Sequence, residues 1–258
     1  MTGLVKDKVV IITGCSGGIG KDISRRFAEE GAKLTICARN EAKLAGTKEL
    51  CEKAGAEVLA LRCDVTDPEQ LKALVEKTVE RYGKIDALVN NAVSASPGTP
   101  FLETDESVIY ESFNSGYLAA WRLMKLCYPY LKETHGAIVN FGSASGINGT
   151  KGYAAYGSIK EAIRGLTRTV AREWGKDGIT ANCICPTAVT DNTREVLAKM
   201  PGSNNDPRAL GMVIPPVGFI GDAFDHIAPA VVFLCSDWAK YITGQSLRLD
   251  GGGSMTAL

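Results

Sequence analysis

Lys8-Val-Val-Ile-Ile-Thr-Gly-Cys-Ser-Gly-Gly-Ile-Gly20 is the stretch that decides the fold. Lys8 to Thr13 is a compact apolar run rich in β-branched residues, the pattern of a strand buried on both faces. It ends at Gly14 and runs into a turn holding Gly17, Gly18 and Gly20. A helical periodicity follows to Glu30, with Gly31 in the place of a C-cap. Strand, glycine turn and helix in that order form the first half of a βαβ unit. The glycines let a phosphate approach the backbone, and the helix start offers it free N–H groups and a positive dipole end.

Working outward, the alternation repeats. Lys33–Ala38, Glu57–Arg62, Asp86–Asn90, Ala137–Phe141, Ile179–Cys185 and Ser246–Leu249 read as strands. Glu41–Ala54, Pro68–Tyr82, Asp105–Leu131, Ser158–Trp174 and Ala223–Leu234 read as helices. Strands alternating with helices imply right-handed crossovers and an α/β fold, a doubly wound parallel sheet. Ligands of such sheets bind at the carboxyl ends of the strands. Gly14, Arg39, Asp64, Asn91 and Ser143 all lie at those ends, so they point to one crevice. Residues 187–221 break the rhythm: they are rich in Pro, Gly, Asn and Asp and carry the apolar cluster Met212, Val213, Ile214, Pro215, Pro216, Val217 and Phe219. An irregular segment of that length beyond a strand end reads as a substrate lid. With no repeat and no second core pattern, residues 1–258 are expected to form one domain.

Beyond Ser143 the chain reads SASGINGTKGYAAYGSIK to Lys160. Tyr156 and Lys160, four residues apart, share one helix face. A phenol beside an ammonium can do acid and base work, because the positive charge favours the phenolate. The spacing alone does not choose this pair. Tyr128 and Lys132 repeat it, and Ser115 precedes Tyr128 by the interval that separates Ser143 from Tyr156. Context chooses: Ser143 closes a strand, whereas Ser115 lies in a helical pattern and Pro129 is expected to interrupt the Tyr128 pair.

The 258 residues carry 29 basic and 29 acidic side chains, mixed throughout, so neither nucleic acid nor an anionic membrane surface is an indicated partner. Eight cysteines without a Cys-x-x-Cys, several of them in strand-like runs, read as buried thiols of a reducing compartment. Two scattered histidines do not suggest a metal site. No run approaches the apolar length of a membrane span, and the amino terminus does not resemble a signal peptide, so a cytoplasmic protein is expected.

Together, Thr13-Gly14-x-x-x-Gly18-Ile19-Gly20, Asp64, Asn90-Asn91-Ala92, and Ser143 with Tyr156 and Lys160 resemble the short-chain dehydrogenase/reductase family over nearly the whole chain. The resemblance implies a Rossmann-like sheet and hydride transfer between a nicotinamide cofactor and a ketone or secondary alcohol. It assigns Tyr156 the proton transfer, Ser143 a hydrogen bond to the substrate oxygen, and Lys160 the lowering of the Tyr156 pKa and a hold on the nicotinamide ribose. Asn114 would bend its helix and seat a water that relays protons to Lys160. Gly14, Ser16, Gly17, Ile19, Arg39, Asp64, Val65, Asn91 and the Val189 backbone would bind cofactor with Tyr156 and Lys160, and Ser145 would join Ser143 and Tyr156 at the substrate.

Three positions depart from the family pattern. Val93 stands where a glycine usually follows Asn-Asn-Ala, Thr187 replaces the glycine after Pro186, and Asp191 replaces a threonine, leaving Thr190 beside Val189 as a contact for the nicotinamide amide. The second strand ends in Ala38-Arg39 rather than an acidic residue, which suits a 2′-phosphate, so NADP(H) is the expected cofactor and NAD(H) the alternative. The apolar lid suggests an acyl thioester, sterol-like or aromatic ketone. Epimerase, dehydratase or enoyl reductase chemistry on the same scaffold is the first rival, and a non-catalytic nucleotide-sensing or interaction protein the second. The family also implies a homo-oligomer, tetramer or dimer.

Overall fold

All five residues of β1 (Val9–Thr13) are buried, because the strand lies inside a sheet covered on both faces. The computed structural model describes residues 3–94 and 98–254. The remaining strands are β2 (Lys33–Ala38), β3 (Val58–Arg62), β4 (Ala87–Asn90), β5 (Ala137–Phe141), β6 (Thr180–Pro186) and β7 (Ser246–Leu249). The sheet has seven strands in the order β3-β2-β1-β4-β5-β6-β7. Every pairing is parallel, with Val10 opposite both Leu34 and Ala87. The order reverses between β1 and β4, which opens a crevice above their carboxyl ends.

The helices are α1 (Gly18–Glu29), α2 (Glu41–Lys53), α3 (Pro68–Tyr82), α4 (Glu106–Ser112), α5 (Ala119–Thr134), α6 (Ala144–Asn148), α7 (Ala154–Trp174), α8 (Asp191–Lys199) and α9 (Ala228–Leu234). Successive β1 side chains serve opposite layers. Val10 and Ile12 join Ile23 and Phe27 of α1 and Val231 of α9, whereas Ile11 joins Leu71 and Leu74 of α3, Leu123 of α5 and Leu166 of α7. Each fully buried side chain of this size stabilises the fold by about 1.5–3 kcal/mol. Most helix starts are capped locally; Asn40, for example, accepts from the N–H of Lys43, and Asp67 from those of Glu69 and Gln70. Gly17, ahead of α1, has no side chain with which to do so.

The boundaries differ from the sequence pattern in several places: α7 begins at Ala154, ahead of the expected Ser158, and the expected helix from Ala223 opens with a π turn, Ala223–Ile227, before α9. The pattern over Asp105–Leu131 is interrupted, since a π turn, Phe113–Leu118, separates α4 from α5. Pro129 does not end α5; it lies on the helix's exposed side. Within 187–221 the chain forms α8, capped by the Thr190 hydroxyl accepting from the N–H of Thr193. The Pro, Gly and Asn residues further along mask that short helix in the composition. No helix among the described residues is long and apolar enough to cross a membrane.

Candidate active site

The glycine turn is shaped by close approach of three backbone segments. Gly14 has φ +75°, and a β-carbon there would stand 2.8 Å from Asn91 Nδ2; one on Gly20 would stand 2.3 Å from the Gly14 carbonyl oxygen. Asn91 braces this junction, its Nδ2 donating to the Thr13 and Gly14 carbonyls at 2.9 and 3.2 Å. Thr13 Oγ1 accepts from the N–H groups of Asn91 and Ala92 at 3.1 and 3.0 Å. The ends of β1 and β4 are thereby locked together under the crevice.

Above them lies a groove with two arms. One, of about 520 Å³, is lined by Ser16, Gly17, Arg39, Lys43, Asp64 and Val65, among others. The other, of about 280 Å³, includes Ile19, Tyr156, Lys160, Pro186 and Thr190. Gly17, Asn91, Val93 and Asn192 line both, so the arms are continuous over the strand ends. Arg39 and Lys43 are exposed at the far end. Asp64 Oδ1 accepts from the N–H and hydroxyl of Thr66 at 3.0 and 2.8 Å, and these bonds hold its carboxyl below the ordinary value.

At the near end Ser143, Tyr156 and Lys160 come together. Ser143 caps α6, with Oγ accepting from the N–H of Ser145 at 3.1 Å. Tyr156 sits in the first turn of α7, and the Lys160 Nζ lies 5.3 Å from its ring centroid. Lys160 is 3% exposed and donates to the Phe141 carbonyl at the end of β5 at 2.8 Å. Burial lowers its pKa from 10.5 to about 8. The phenol moves the other way: burial raises the Tyr156 pKa, and the Ser143 hydroxyl opposes this only in part. The lowering expected from Lys160 is not among the causes of the shift; the ammonium lies over the ring and donates to a carbonyl.

Two expected roles meet a different geometry. Asn114 is exposed and lines neither arm of the groove, although the helix does deform there, as a π turn. The N–H of Val189 already donates to the Gly221 carbonyl at 2.8 Å, so it has no free donor for a nicotinamide amide; Thr190 lines the near arm, with its hydroxyl bonded to Thr193. Ser145 lines an outer cleft of about 650 Å³ with Phe101, Tyr153 and Glu161. Val93 has none of the positive φ values a glycine replacement would strain, and its side chain packs towards Gly116. Thr187 is exposed and donates its N–H to Leu249. Sequence reasoning missed Lys43 and Asn192. Lys43 was legible as a cation one helical turn beyond Arg39; Asn192 gave no signal, because the helix that carries it was not recognised. No metal-holding cluster occurs among the described residues.

The family model described as enoyl-(acyl carrier protein) reductase matches residues 14–254. The 12α-hydroxysteroid dehydrogenase of a Clostridium species is 39% identical over 97% of this chain and 98% of its own length. The chain belongs to the short-chain dehydrogenase/reductase family. Another short-chain dehydrogenase/reductase relative, the L-fucose dehydrogenase of Oryctolagus cuniculus, is 34% identical over 96% of this chain and 85% of its own. The structure of L-sorbose reductase from Gluconobacter frateurii with NADPH and L-sorbose superposes with a TM-score of 0.91, at 30% identity and full coverage of both chains. The protein is therefore an oxidoreductase of hydroxyl and keto groups, and its glycine turn, cationic far end and continuous groove fit a nicotinamide dinucleotide.

Proposed function

We propose that this enzyme is an NADP(H)-dependent dehydrogenase/reductase that interconverts a bulky apolar ketone and its secondary alcohol through Ser143, Tyr156 and Lys160. One observation carries the reading: the Tyr156 phenol stands beside a buried lysine, whose Nζ lies 5.3 Å from the ring centroid, in the groove that begins at the glycine turn. The cofactor supplies or accepts hydride at its nicotinamide C4. Ser143 and Tyr156 aim two hydroxyls at the substrate oxygen, where charge develops during the transfer. The raised phenol pKa keeps Tyr156 protonated at neutral pH, so it serves as the acid of ketone reduction. Lys160, anchored on Phe141 and with a pKa of about 8, can hold the ribose and return a proton to the phenol. Arg39 and Lys43 suit the 2′-phosphate of NADP(H).

The apolar preference draws on the lid, where Val213, Ile214, Val217 and Phe219 are exposed, and on the hydroxysteroid relative. Reduction of an enoyl thioester is the second reading, favoured by the description of the matching family model. In either case the whole chain is read as one cytoplasmic domain that assembles as a dimer or tetramer. Exposed Ile109, Tyr110 and Trp121 on α4 and α5 support such an assembly. A monomer in sedimentation at micromolar concentration would remove it.

The test follows nicotinamide absorbance with hydroxysteroids, sugars, 3-oxoacyl thioesters and enoyl thioesters, each with NADP(H) and NAD(H). Turnover of the steroid set with NADP(H) is expected. Turnover of sugars alone would sink the apolar reading, and no turnover despite tight NADPH binding would favour a regulator. Arg39→Ala should raise the NADPH Kd about tenfold and leave that for NADH within twofold; equal effects would remove the cofactor assignment.

A further inference from the structure

Helix α1 starts without a cap of its own. Gly17 offers no side chain, and the first turn holds no acidic residue. The N–H of Gly18 is instead taken by Asp191 Oδ1 at 2.6 Å, from 173 residues further along the chain. Asp191 Oδ2 pairs with Lys21 Nζ at 2.5 Å. The next residue covers the same turn, for Asn192 Oδ1 lies 3.3 Å from where a β-carbon on Gly17 would stand. Both residues open α8, whose start is fixed by the Thr190 cap, so the lid places a carboxylate on the glycine turn.

A carboxylate and a phosphate ask the same things of such a place: an N–H at a helix start, the positive end of the dipole and a cation within reach. Asp191 uses all three. Burial pushes its carboxyl up, but Lys21 and the Gly18 N–H outweigh that and leave its pKa below the ordinary value. Asp22, Asp222 and Arg194 are the other charged groups that interact around this contact.

We infer that Asp191 is a lid-borne stand-in for the cofactor's pyrophosphate: the lid docks on the glycine turn through this carboxylate, and the dinucleotide binds only after it leaves. This rests on reading the glycine turn as the pyrophosphate site. Two things follow. The apparent affinity for cofactor is reduced by the fraction of molecules whose lid is docked. When Asp191 departs, Lys21 and the Gly18 N–H are released together to the incoming phosphates, so cofactor entry and lid opening are one event. On the way out the exchange runs in reverse, and the returning carboxylate displaces the spent dinucleotide.

Fluorescence titration of NADPH into the wild-type protein, Asp191→Ala and Asp191→Asn tests this. Thermal unfolding of each variant serves as the check that it folds. Asp191→Ala should bind NADPH roughly tenfold more tightly, and Asp191→Asn, which keeps an acceptor for Gly18 but loses the Lys21 pair, roughly threefold. Adenosine 2′-monophosphate, which has no pyrophosphate, should bind all three alike. Without cofactor, trypsin should cut Asp191→Ala after Arg194 or Lys199 faster than the wild type. Unchanged or weaker NADPH binding in both variants overturns the lock, as does equal tightening of adenosine 2′-monophosphate. Failure of NADPH to bind any of the three proteins, with the monophosphate still binding, overturns instead the reading of the turn as the pyrophosphate site and takes the lock with it.

Discussion

Two Tyr-x-x-x-Lys pairs, Tyr128 with Lys132 on α5 and Tyr156 with Lys160 on α7, follow serines at the same interval, and the fold gives them opposite surroundings. On α5 the partner is a carboxylate. Asp177 accepts from the Tyr128 hydroxyl at 2.9 Å and pairs with Lys132 at 3.1 Å, and it raises the pKa of both. That cluster ties the end of α5 to the turn after α7, with the Tyr128 and Trp174 rings 4.7 Å apart. On α7 the lysine is desolvated instead. It has a backbone carbonyl and the thiols of Cys183 and Cys185 around it, and its pKa falls to about 8. A lysine held by a carboxylate stays a fixed cation, whereas one desolvated beside a carbonyl can exchange its proton near neutrality.

The largest expected difference between the pairs is in turnover. Tyr156→Phe should lower kcat by about a thousandfold while leaving the NADPH Kd within twofold, and Tyr128→Phe should leave kcat within twofold. Comparable losses in the two variants would erase the distinction. Smaller, but set by the same environment, is the pH dependence. Since the Tyr156 pKa is raised, the phenol keeps its proton through neutrality: ketone reduction should stay level there and fall only on the alkaline side. Alcohol oxidation, which needs the phenolate, should climb with pH from neutrality towards that pKa. Rate profiles in both directions check this, and an oxidation rate that is flat from about pH 7 to about pH 9 would count against Tyr156 as the proton carrier. Smallest is the effect of Asp177→Asn on turnover, which should leave kcat unchanged while lowering Tm by a few degrees, since the carboxylate is largely covered and also accepts from Tyr128; a loss of activity would mean that the α5 cluster reaches the active site.

The strands of this enzyme were legible because each is a short apolar run bounded by turn residues, and β2 and β5 fall on the expected residues. The placement of the proposed catalytic residues was legible from order along the chain, since Ser143 lies two residues beyond a strand and Tyr156 in the first turn of a helix. Three things were not. The π turn at Phe113–Leu118 shifts the helix register by a fraction of a turn, which periodicity does not register, and Asn114 within it is exposed. Whether a lysine lowers a neighbouring phenol depends on what else its ammonium touches, and the Phe141 carbonyl is 19 residues away in sequence. The cap of α1 comes from the lid and not from its own first turn, a contact between segments too far apart for any local pattern to reveal.

Val93 illustrates how a departure from a family pattern can be absorbed. Its Cγ2 lies 3.3 Å from where a β-carbon on Gly116 would stand, so the bulk gained on the β4 loop is accommodated by bulk missing from the helix opposite. The two positions form a lock and its key within one chain. Restoring glycine at 93 alone would leave a gap beside the crevice, and adding a methyl at 116 alone would press on Val93 and Ile159. Only the exchange of both at once keeps the volume, so any redesign of this wall has to move the pair as a single unit.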